Sequence, residues 1–62
     1  MSISYELKLK ILDQLSSKQE ELELRVDEIS PDQLLNKEVF KRREFMLGQI
    51  DEIEEIIKEL KK

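Results

Sequence analysis

Sixty-two residues with no cysteine, no histidine, one glycine and one proline make a single domain that buries roughly 60% of the surface its unfolded chain exposes, and they leave disulfides, zinc, haem and iron–sulfur clusters out as staples. Charged residues make up 42% of the chain and the net charge is −4, a balance that suits long helices and speaks against a dedicated nucleic-acid binder. Oligomerisation is the staple that remains. The N-terminus lacks a basic-then-apolar signal pattern, and no apolar run approaches the ~20 residues of a membrane helix, so a cytoplasmic protein without membrane contact is expected.

In chain order, the first question is posed by ISYELKLKI, residues 3–11, where Ile3, Tyr5, Leu7, Leu9 and Ile11 alternate with Ser4, Glu6, Lys8 and Lys10. Strict alternation is the pattern of a half-buried strand. A strand needs a partner, and no second alternating segment exists in the chain; an isolated edge would have to pair between molecules. Wound as a helix at about 100° per residue, the same stretch sets Tyr5, Leu9 and Leu12 on one ridge and Ile3, Leu7 and Ile11 on a second. The prediction is a helix whose end is covered on two sides. From Leu12 onward, Leu12, Leu15, Gln19, Leu22, Val26 and Ile29 alternate spacings of three and four, the seam of a coiled coil interrupted only by Gln19.

EISPDQLL, residues 28–35, holds the break. Ser30 suits an N-cap, Pro31 the first helical position, Gln33 the reciprocal capping-box role, and Asp32 places negative charge in the first turn, where the helix dipole favours it. Proline disfavours helical geometry in the residue before it, so the first helix should end near Ile29. Two helices, 3–29 and 31–61, with a turn at about Ser30–Pro31, then form one antiparallel hairpin roughly 40 Å long. The predicted fold class is all-α, a coiled-coil-like hairpin over residues 1–62 that dimerises into a four-helix bundle.

In the second helix Leu35, Val39, Met46, Ile50, Ile53, Ile57 and Leu60 form a stripe interrupted by Arg42; Phe40 and Leu47 widen it on one flank, and Phe45 and Ile56 appear toward the other. One hairpin pairing does not cover so much apolar surface. Self-association is therefore expected, with Ile3, Tyr5, Leu7, Leu9, Ile11, Leu12, Ile50, Ile53, Ile56, Ile57 and Leu60 as the oligomer interface. A turn near residue 30 sets residue i opposite about 60 minus i. That arithmetic brings Lys37, Lys41, Arg42 and Arg43 level with Glu20, Glu21 and Glu23, and it brings Asp51, Glu52, Glu54 and Glu55 level with Lys8 and Lys10. It also sets Gln19 against Arg42, a polar layer of the kind that fixes register and oligomeric state at a cost in stability.

Chemistry is harder to find. Glu52, Glu55 and Glu59 share a helix face, but di-metal carboxylate sites pair such residues with histidine, and the chain has none. Gly48 stands alone, so there is no glycine-rich phosphate loop, and no nucleophile has a base beside it. No enzymatic activity, cofactor or metal is expected.

KEVFKRREF, residues 37–45, interleaves Lys37, Lys41, Arg42 and Arg43 with Phe40 and Phe45. Together with Leu47, these residues are the expected binding patch for another protein. The leading expectation is a non-enzymatic interaction module: a small regulator, inhibitor or assembly accessory of the sort that compact genomes such as those of phages encode as separate short chains. In length and hairpin layout the chain is similar to plasmid copy-number regulators of the Rop type. The resemblance is one of architecture, without a shared motif, and implies an alternative in which Lys37, Lys41, Arg42 and Arg43 face paired RNA. A further alternative is an obligate small subunit of a larger assembly.

Overall fold

The computed structural model describes residues 4–62; Ile3, expected in the first helix and in the interface, lies outside the described residues. Helix α1 spans Tyr5–Asp27, a short 3-10 helix covers Pro31–Leu35, and α2 spans Lys37–Lys61. The two long helices pack on each other as a hairpin measuring 47 × 15 × 14 Å. No strand occurs among the described residues. The alternating segment from Tyr5 to Ile11 is helical, as expected for a stretch without a pairing partner.

Each helix start is fixed by a short polar side chain. The Ser4 hydroxyl accepts the Leu7 N–H at 3.3 Å, which meets one of the otherwise unpartnered amides of the first turn, and the Ser4 carbonyl accepts the Lys8 N–H at 2.9 Å as the first bond of the helix. At the other end of α1 the Glu28 N–H donates to the carbonyls of both Leu24 and Val26, and the Ile29 N–H donates to Val26 at 3.1 Å. This tightening closes α1 at Asp27, short of Ile29.

The break at Ser30–Pro31 forms, but it opens a different element from the one expected. Gln33 Oε1 accepts from the Ser30 N–H at 2.9 Å and from its hydroxyl at 3.4 Å, while the Gln33 N–H donates to the Ser30 carbonyl at 3.0 Å. Those bonds build a 3-10 helix, which ends where the Asn36 N–H reaches the Gln33 carbonyl at 3.1 Å. Asn36 is extended, with φ −83° and ψ 124°, and its Oδ1 accepts from Glu38 N–H at 2.9 Å and Val39 N–H at 3.3 Å. A second cap thus competes with Ser30 and starts α2 at Lys37 rather than at residue 31. Leu35, expected in the stripe, is left 89% exposed, and Leu34 is the half-buried member of the pair.

The longer connection shifts the register. A turn at residue 30 would place Leu22 level with about residue 38; instead Leu22 packs with Met46 and Ile50. These three, at 2%, 7% and 9% exposure, are the buried core among the described residues, with Val26, Ile29, Leu47 and Ile53 packed against them. On α1 the predicted seam holds, every member from Leu12 to Ile29 being buried or half-buried. On α2 the inward residues are Val39, Arg43, Met46, Ile50, Ile53, Ile57 and Leu60, an unbroken alternation of four and three. It puts Arg43 rather than Arg42 in the seam, because four-then-three spacing keeps the stripe aimed at the partner helix.

Two substitutions bracket the stability of this hairpin. Leu22→Ala removes the most buried side chain and is expected to destabilise by about 3 kcal/mol, a large part of what so small a core supplies. A Cβ at Gly48 would meet nothing within 4 Å, so Gly48→Ala is expected to stabilise by about 1 kcal/mol. Denaturant midpoints measured with unchanged m-values check both.

Candidate interaction surface

Side chains that do not fit into the seam are displayed along both helices. Tyr5, Leu7 and Leu9 on α1 and Phe40, Phe45 and Ile56 on α2 are exposed, as are Leu24 and Leu35. Of the expected interface, Ile11, Leu12, Ile53, Ile57 and Leu60 are half-buried, and Ile50 is enclosed in the hairpin's own core. Ile50 is thereby removed from any surface open to a second molecule. The cause is the register: with α2 shifted, Ile50 meets Leu22 directly.

The expected partner patch divides in the same way. Phe40 and Phe45 stand five residues apart, about 140° around the helix, and so lie on opposite flanks of α2. Leu47 is packed against the core. Lys37 and Lys41 are exposed, whereas Arg43 is half-buried in the seam with its guanidinium on Glu44 at 3.2 Å. No single surface unites Lys37, Phe40, Lys41, Arg43, Phe45 and Leu47.

Gln19 and Arg42 do not form a layer. Leu22 lies between Met46 and Ile50, so in an antiparallel pair Gln19, one seam position earlier, falls level with Ile50 and Ile53. Arg42 is exposed and borders a shallow groove beside the turn with Arg25, Glu28, Ile29, Gln33, Val39 and Met46. Gln19 therefore faces apolar neighbours across the hairpin, while Arg42 stays outside the seam.

The charges act locally. Among the described residues the ion pairs are Lys18–Glu21 at 3.8 Å, Arg25–Glu21 at 2.8 Å, Arg43–Glu44 at 3.2 Å, Lys58–Glu55 at 4.0 Å and Lys62–Glu59 at 3.0 Å. None joins α1 to α2, so the cross-helix pairings expected from a turn at residue 30 are absent among the described residues, again because the register is displaced. Exposed pairs of this type contribute little, about 0.2–1 kcal/mol each. Lys37, Lys41, Arg42, Asp51, Glu52 and Glu54 take part in no ion pair among the described residues.

Lys8 is a seam residue that sequence reasoning missed. It is half-buried, four positions before Leu12, where Tyr5 and Leu9 had been expected to continue the ridge. Lysine and arginine stems can lie along apolar seams with their charged heads in water, which accounts for the half-burial of Lys8 and Arg43, and their spacing from Leu12 and Met46 was the available signal. No three His, Cys, Asp or Glu side chains are gathered to hold a metal ion among the described residues, and no described helix is long and apolar enough to cross a membrane. Comparison of the chain with protein-family models, with curated proteins and with solved structures finds no match.

Gln19 makes no side-chain hydrogen bond among the described residues, so Gln19→Leu is expected to stabilise by about 1 kcal/mol through added apolar burial. Arg42→Leu, at an exposed position, adds no burial within the hairpin and is expected to bring no such gain. Thermal unfolding of the two variants side by side distinguishes a seam residue from a surface one.

Proposed function

We propose that this chain is a non-enzymatic protein-interaction module: a helical hairpin that self-associates into a four-helix bundle and, in that form, serves another protein as regulator, inhibitor or assembly accessory. One observation carries the reading. Among the described residues three apolar side chains are buried while eight large ones stay exposed, the reverse of what a self-sufficient small domain displays.

Surface area supports it. The chain presents 5376 Å² of accessible surface, whereas a compact monomer of its mass presents about 4,200 Å². The surplus, about 1,100 Å², is comparable with the roughly 800 Å² that each partner contributes to a standard interface. Two hairpins laid face to face would also give the exposed side chains of one flank of α1, either Tyr5 with Leu9 or else Leu7, the apolar neighbours that α2 alone does not supply. An elongated two-helix body of this kind offers helix faces and grooves rather than a pocket, the geometry by which amphipathic helices engage one another.

The test is molar mass by sedimentation equilibrium over a hundredfold concentration range. The expected result is a species of twice the 7.5 kDa chain mass, with a melting temperature that rises with protein concentration as mass action requires. A folded monomer throughout the range, with a concentration-independent melting temperature, overturns self-association.

A further inference from the structure

α2 carries, beside its seam, a second stripe that the hairpin leaves unpartnered: Arg42, Phe45, Gln49, Glu52, Ile56 and Glu59, spaced three, four, three, four and three. At about 100° per residue these six lie on one flank of the helix, roughly a quarter turn from the inward line. Phe45 and Ile56 are 67% and 47% exposed, Arg42, Glu52 and Glu59 are exposed and Gln49 is half-buried. The spacing is that of a coiled-coil face, yet α1 packs elsewhere.

Resting on the self-association proposed above, we infer that the occupant of this stripe is the same stripe of a second copy, run antiparallel. Folding the stripe about its midpoint sets Arg42 against Glu59 of the second copy, Phe45 against Ile56, and Gln49 against Glu52: an ion pair, an apolar pair and a hydrogen-bonding pair. The twofold axis makes each of them twice. A parallel arrangement instead sets Arg42 on Arg42, Glu52 on Glu52 and Glu59 on Glu59, stacking like charges along the contact.

The opposite flank of α2 lacks this symmetry. Folded about its own midpoint, it sets Glu44 against Glu54 and Leu47 against Asp51, and Leu47 is already packed on the core. Neither Arg42 nor Glu52 has an ion-pair partner within the hairpin among the described residues, and Glu59 holds only Lys62, at 3.0 Å, on an exposed site where such a pair is easily exchanged. The complementarity therefore belongs to one flank, one orientation and one partner.

Charge reversal tests it with the full chain. Arg42→Glu alone and Glu59→Arg alone each set like charges against one another at both ends of the antiparallel contact, so each is expected to weaken self-association by about tenfold or more. Mixed in equal amounts, the two variants restore both attractions, and a mixed dimer of near-parental affinity is expected. Leu24→Glu, an exposed change on the outer side of α1, is the control expected to leave the mass unchanged. Circular dichroism confirms that all four proteins are equally helical. If the single variants dimerise as the parent does, or the mixture fails to recover, the antiparallel stripe is wrong while self-association stands. If the parent is monomeric at every concentration, the inference fails together with the reading on which it rests.

Discussion

Everything in this hairpin depends on Leu22 lying between Met46 and Ile50. Two helices standing alone can cover only the stripe each presents to the other, so burial is confined to one line of side chains, and here that line closes fully at a single place. The contact fixes the register, and the register decides which residues remain outside. Moving α2 by even one turn would enclose a different isoleucine and release Ile50. The exposed set is thus a consequence of where the core forms, and it cannot be read from apolarity alone.

The core's position is in turn set by the connection. Had Ser30 opened α2 directly, the helices would have met almost without a loop. Asn36 supplies a better start, because an extended residue with a short side-chain acceptor satisfies two amides at once. The 3-10 helix between the caps lengthens the link and slides α2 along α1. A local hydrogen-bonding choice at one asparagine is in this way transmitted to the whole length of the molecule.

Much of this was legible in the residues. The helical character of both segments, the persistence of α2 to Lys61, the break at Ser30–Pro31 and the α1 seam all follow from spacing and capping chemistry. Helix reads correctly even through Tyr5–Ile11, where alternation imitates a strand, because a strand needs a partner the chain does not supply. The register was not legible, since it hangs on a competition between two caps whose energies differ by less than sequence patterns resolve. Lys8 and Arg43 were hidden for another reason: a charged head marks them as surface while the aliphatic stem fills a seam position. The division of the Phe40–Phe45–Leu47 patch follows from the angular step of the helix once the inward line is known.

The placement of the core also bears on how the molecule folds and frays. Leu22, Met46 and Ile50 lie about midway along the hairpin, Met46 being the tenth residue of α2, so the loop they close is of moderate length and its entropy cost grows only slowly with that length. Few contacts link residues farther apart in sequence than those across the hairpin, a topology that folds quickly. Beyond that core no residue of the first turns of α1 or the last turns of α2 is fully buried, so the open end of the hairpin is the part expected to fray first.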